Sequence, residues 1–142
     1  QKRIVSAETI QGNTVLIKYL RNFRNHPNPV VFFKKKKPRI FLVSKKNQIF
    51  LKDVGKVFLN DNEHLTFFTK NKKNYDICKK NWGFYATPSV NNRLKKEGFN
   101  TALAKQNNKY FIMIVDNKKK KLFNNYCKKE NYKVVEWLDK LK

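Results

Sequence analysis

This sequence predicts an α+β fold: an N-terminal antiparallel β-meander, closed as a small barrel or sandwich over residues 1–80, packed on a C-terminal βαββαβ ferredoxin-like half over 81–142. Three observations predict it. Short β-rich runs up to about residue 80 are separated by turn signals roughly every 8–12 residues. A sharp strand stop and helix start falls at Thr87-Pro88-Ser89. After Trp82 the pattern alternates between strand and helix.

Arg3 to Ile10 and Thr14 to Leu20 flank Gln11-Gly12-Asn13, a hairpin signal. Arg21 to Pro29 has two prolines and no periodicity, so it reads as a loop. Val30 to Phe33 is a short apolar strand, expected to stop at the run Lys34 to Lys37 and Pro38. Arg39 to Val43 and Gln48 to Lys52 enclose a turn at Ser44 to Asn47, and Lys56 to Leu59 and His64 to Thr69 follow as further strands. Residues 71–81 fit either a returning strand with Tyr75 and Ile77 on one face or a turn or two of helix; the strand is the preferred reading.

Trp82 to Thr87 then reads as a strand. Pro88 holds Thr87 extended, and Ser89 is placed to accept a hydrogen bond from the first turn of a helix. Gly98 sits where a left-handed residue would end that helix, with Leu94 and Phe99 as its apolar contact. Tyr110 to Val115 is a continuous apolar run, the pattern of a central strand buried on both faces. Asp116 is an N-cap for a helix from Asn117 to about Glu130, whose Leu122, Phe123, Tyr126 and Cys127 share one face. Tyr132 to Leu138 closes the chain as a strand.

The chain has 142 residues, with 33 Lys and Arg against 10 Asp and Glu, for a formal net charge of +23. A field of that sign selects anionic partners: nucleic acid, polyanionic glycan or an acidic membrane surface. Base composition is the rival explanation. Phe, Tyr, Met, Ile, Asn and Lys supply 74 residues and Gly, Ala, Arg and Pro only 17, the skew of an AT-rich genome. That skew accounts for Lys over Arg but not for the scarcity of acids.

Several classes are poorly supported. Cys78 and Cys127 are far apart, which excludes a metal knuckle or a redox CxxC pair, and two buried thiols in a reducing cytoplasm is the simple reading. His26 and His64 have no spaced partner for a metal or triad, no carboxylate pair is evident, and the four glycines form no phosphate loop. The expectation is therefore a non-enzymatic protein with no metal and no cofactor. No apolar run approaches the ~18 residues of a membrane span, and the N-terminus has no signal pattern, so a cytoplasmic protein is expected. Self-association stays open.

Three features point to anion binding. In a βαββαβ sheet, rings on the outer face can stack on unpaired bases, here Trp82, Phe84 and Tyr85 with Tyr110 and Phe111, of which Tyr85 and Tyr110 are the chosen pair. The ordinary place for such rings is the core, and no RNP signature is present. Lys34, Lys35, Lys36 and Lys37, and again Lys118, Lys119, Lys120 and Lys121, form basic runs. The second crowds a helix N-terminus, where the dipole disfavours cations, so Asp116 or a bound anion must compensate. The helix start at Ser89, with Arg93 one turn on, is a third place for a phosphate, although an ordinary cap explains Ser89 without a ligand.

Trp82-Gly83-Phe84-Tyr85-Ala86-Thr87-Pro88-Ser89, then Asn92-Arg93-Leu94, Gly98-Phe99, Tyr110-Phe111 and the terminal Trp137-Leu138-Asp139, resembles a group of short uncharacterised bacterial proteins. The resemblance covers roughly the second half of the chain and implies an association with cell-surface sugar biosynthesis genes, with no assigned activity or site. The expected function is binding of an anionic ligand, foremost single-stranded nucleic acid. The alternatives are an accessory protein of surface-polysaccharide or nucleotide-sugar metabolism holding a sugar phosphate near Ser89 and Arg93, and a protein–protein adaptor.

Overall fold

The structure is a computed structural model. It describes the backbone of residues 2–11, 14–21 and 30–142 and the side chains from Lys35 onward. The expected hairpin at Gly12-Asn13 and the loop over 22–29, with His26, lie outside the described residues. The protein is α+β, dominated by antiparallel strands, and divides into two compact units, Gln1–Glu63 and His64–Lys142. The boundary expected after residue 80 falls inside the second unit, between two strands that pair with each other.

The first unit is a four-stranded meander of β1 (Lys2–Gln11), β2 (Thr14–Arg21), β3 (Val30–Ser44) and β4 (Ile49–Phe58), hydrogen-bonded in that order with β1 and β4 at the edges. Fewer and longer strands replace the expected run of short ones, and the open order is not that of a closed barrel. Lys34 to Lys37 do not terminate the strand. Pairing passes from Lys34 opposite Gly55 to Arg39 opposite Asp53, so four residues of β3 bulge out against one of β4. Pro38 lies inside that bulge, where no ladder N–H is required of it. The Lys35 ammonium crosses to Asp53 at 2.5 Å and ties the bulge to β4. β2 pairs with β3 only from Val30 to Lys35. Beyond the bulge, Arg39–Ser44 and Ile49–Asp53 therefore continue as a two-stranded ribbon.

The second unit holds two three-stranded antiparallel sheets. One is β5 (His64–Phe68), β6 (Asn74–Lys80) and β7 (Gly83–Ala86), in that order. The strand reading of residues 71–81 thus holds over Asn74–Lys80, with the chain reversing through Lys72 at φ 62°. The other sheet has the order β10 (Lys133–Trp137), β8 (Phe99–Gln106), β9 (Lys109–Asp116). Strand–helix–hairpin–helix–strand succession is present along the chain, but β7 pairs with β6 and not with this sheet. In a ferredoxin-like half all four strands would share one sheet. The two-residue reversal at Asn81-Trp82 joins the short β7 directly to β6.

The expected central strand is the other correction. β9 is an edge strand whose Tyr110, Phe111 and Ile112 are exposed, and only its Val115 is buried. β8 holds the centre, with Ala102 and Ala104 fully closed off and Phe99 and Thr101 nearly so. A short helix, α1 (Arg93–Lys96), precedes β8 and contributes Leu94, the largest fully buried apolar side chain among the described residues. A 3-10 turn (Asn117–Lys119) leads from β9 into α2 (Lys120–Glu130), which ends at left-handed Asn131. Of the four residues expected on its inner face, Cys127 is buried and Phe123 half-buried, packed edge-on to Trp137 at 5.8 Å. Leu122 and Tyr126 are exposed, so the buried stripe follows the i, i+4 pair Phe123 and Cys127 alone.

Two polar clusters lock this unit. Asp139, in a 3-10 turn after β10, is 2% exposed, and its carboxylate accepts the Thr101 N–H at 3.0 Å and the Asn100 amide at 2.8 Å. Burial pushes this carboxyl up, but those bonds, with the Lys95 ammonium nearby, outweigh it and hold it below its ordinary range. Lys73, in the β5–β6 turn, reaches Asp116 at 2.5 Å, the Gly98 carbonyl at 3.1 Å and Asn117 at 3.3 Å. It joins the β5–β6–β7 sheet to the end of β9, the 3-10 turn after it and the link between α1 and β8. Gly98 is favoured by its φ of +94°, and a Cβ there would displace the Lys73 ammonium, 2.7 Å away.

Candidate anion-binding surface

The carboxylates come first, because they decide which cations remain. Among the described residues Asp53 holds Lys35, Asp76 holds Arg93 at 3.3 Å, and Asp116 holds Lys73. Asp139 is spent on Asn100 and Thr101. These four of the ten acids thus act as internal struts and do not offset the exposed lysines.

Asp116 caps the 3-10 turn as the dipole argument requires, accepting the Lys118 N–H at 3.0 Å. The Lys73 ammonium above all, then the Lys118 N–H and Asn71, hold its carboxyl down to about 2. A carboxylate charged at neutral pH therefore sits at the helix entrance and offsets the lysines crowded there. Lys118, Lys119 and Lys121 are exposed, while Lys120 lies 4.9 Å from the Trp137 ring centroid. The first basic run is divided likewise. Lys35 is taken by Asp53, Lys36 and Lys37 are exposed, and the Lys34 side chain lies outside the described residues.

At the helix start before α1, the Ser89 hydroxyl accepts the Arg93 N–H at 3.0 Å. The helix is only four residues long, and its cap position, Asn92, makes no side-chain bond. The Arg93 guanidinium reaches Asp76 and the Thr87 hydroxyl, both at 3.3 Å. Ser89 and Arg93 come together as expected, but each is engaged by the protein itself. This cluster ties α1 to β6, where Thr66 also donates to Asp76 at 2.6 Å.

The rings chosen for stacking, Tyr85 and Tyr110, are exposed, and so are their neighbours. Trp82, Phe84, Tyr85, Tyr110 and Phe111 are all exposed, where the core was their ordinary place. Tyr85 stacks on Trp82 with centroids 5.8 Å apart and planes 26° from parallel, a two-ring shelf at the β6–β7 turn. Phe84 lies opposite Lys79 in the ladder, with the ammonium 6.0 Å from its ring. Tyr110 lies opposite Lys105, whose ammonium is 5.6 Å from the ring, and Lys105 is in turn paired with Lys133 of β10. Directly paired residues share a sheet face, so Lys133, Lys105 and Tyr110 form a row across the end of the second sheet. Tyr85 and Tyr110 belong to different sheets of the unit. Sequence reasoning missed Lys105 and Lys133 because pairing partners are set by register, which no local pattern states.

Among the described residues no three His, Cys, Asp or Glu side chains gather as metal ligands, and no helix is long and apolar enough to cross a membrane. Cys78 and Cys127 are buried free thiols, and burial pushes the Cys127 thiol up. Fold and surface together define a basic α+β protein with rings displayed beside ammonium groups. Comparison with known protein families, curated proteins and solved structures finds no match to this chain.

Proposed function

We propose that the protein binds a polyanion through the second unit, and that the polyanion is single-stranded nucleic acid. The observation that carries this reading is the exposed Tyr110 ring beside the Lys105 ammonium, with Lys133 next in the same row across the sheet. A ring face offers a base a stacking surface, and an ammonium one strand away lies within reach of the adjoining phosphate. Trp82 on Tyr85 supplies a second shelf. Lys118, Lys119 and Lys121 extend the positive field. Lys36 and Lys37 are exposed on the first unit. The sugar-phosphate alternative loses ground because Ser89 and Arg93 are already bonded within the protein. Two free buried thiols fit a reducing compartment such as the cytoplasm.

The test is fluorescence anisotropy of a labelled single-stranded oligonucleotide at several salt concentrations. Log affinity is expected to fall against log salt with a slope of about −0.7 per phosphate neutralised. Tyr110→Ala is expected to remove about 1–3 kcal/mol of binding, the worth of one stacked base. Binding that vanishes at moderate salt and ignores Tyr110→Ala and Tyr85→Ala would reduce the charge to a coat.

A further inference from the structure

The two-stranded ribbon of the first unit is not used by this reading. Its two strands, Arg39–Ser44 and Ile49–Asp53, pair with each other and with no third strand among the described residues. Leu42 lies directly opposite Phe50 and Ile40 opposite Lys52, so Ile40, Leu42, Phe50 and Lys52 share one face. Ile40, Leu42 and Phe50 are 60%, 40% and 55% exposed. No carboxylate lies on that face, because Asp53 belongs to the other, beside Arg39 and Phe41. Lys45 and Lys46 stand exposed at the tip, in a turn that reverses through Gln48 at φ 55°.

An apolar wedge flanked by cations on a narrow arm is the chemistry of proteins that enter the minor groove and pry a base step apart. Wedge side chains unstack the step, ammonium groups hold the phosphates on either side, and the bent duplex wraps more of the protein. A second copy is the poorer occupant, since it would bring two +23 chains and two sets of tip lysines together. We propose that the β3–β4 ribbon is an arm for double-stranded DNA, with Phe50 and Leu42 as the wedge and Lys45, Lys46 and Lys52 on the phosphates. This surface stands independently of the single-strand reading.

The experiment uses the full chain and a 30-bp duplex carrying a donor and an acceptor at its two ends. Binding is expected to raise energy transfer between the ends. Phe50→Ala and Leu42→Ala, each checked for an unchanged unfolding midpoint, are expected to abolish most of that rise. Lys45→Gln with Lys46→Gln is expected to reduce the salt slope of duplex binding by about 2. All of these variants should leave single-strand affinity unchanged, and Tyr110→Ala should leave the bend unchanged. Duplex binding without a bend, or a bend indifferent to Phe50→Ala and Leu42→Ala, would overturn the proposal. So would a dimer in sedimentation that Phe50→Lys converts to monomer, because the ribbon would then be a self-association surface.

Discussion

The β3–β4 ribbon and the β8-centred sheet are both read from apolar stretches, yet they end at opposite extremes of burial. Ile40, Leu42, Val43, Phe50 and Leu51 are exposed on both faces of the ribbon, while Leu94, Ala102 and Ala104 are wholly closed off in the sheet. Apolar content does not separate them. The difference lies in what arrives from far along the chain. β8 has a strand on each side, α1 before it, and Asp139 reaching back 38 residues to the Thr101 N–H. Among the described residues the ribbon's two strands pair only with each other, and Lys35 ties them to Asp53 at the base. Burial in this protein follows convergence of distant segments, and the ribbon keeps its apolar groups available because nothing converges on it among the described residues.

That contrast should appear as a difference in cost. Leu94→Ala removes a fully buried side chain and should destabilise the second unit by about 2–5 kcal/mol, whereas Leu51→Ala on the ribbon should stay within about 0.5 kcal/mol. Urea midpoints of the two variants decide it, and equal costs would break the comparison. Asp139→Ala comes next. It strips the Thr101 N–H of its buried acceptor and should cost about 1–3 kcal/mol, measured the same way.

The smallest effect is a pH dependence at the Lys73 cluster. Asp116 has a folded value of about 2, below the ~3.9 of an unfolded Asp. A depressed carboxyl stabilises fully above its unfolded value, and the gain is lost as pH falls through the folded one. Stability of the second unit should therefore drop between about pH 4 and pH 2. Lys73→Met removes the main cause of the depression and should flatten that part of the profile, read as urea midpoints across the acid range.

The legible parts of the sequence were those fixed by neighbours. Ser89 bonding the Arg93 N–H, Gly98 at positive φ, Asp116 capping the turn into α2, and a strand over Asn74–Lys80 all follow from residues a few positions apart. What misled was anything settled by pairing. Tyr110 to Val115 has the composition of a central strand, but centre or edge depends on which strands flank it, and β8 took the middle with small alanines. Lys34 to Lys37 resemble a turn, yet Lys34 stays in the ladder and Lys35 to Pro38 bulge out because β4 continues past them. Lys73 gave no signal, since a lysine in a polar turn looks the same whether or not a carboxylate lies within reach 43 residues away.

For the candidate surface the same rule holds. The rings at Tyr85 and Tyr110 could be named from sequence, but their exposure and the Lys105 ammonium beside Tyr110 could not. The central claim is that these rings, and not charge alone, engage the ligand. The most direct measurement compares an oligonucleotide with an abasic strand of the same length, titrated at matched salt against the full chain. The two carry the same phosphates and differ only in bases. The account predicts weaker binding of the abasic strand, by about 1–3 kcal/mol for each base that stacks. Equal affinity for both strands would contradict it.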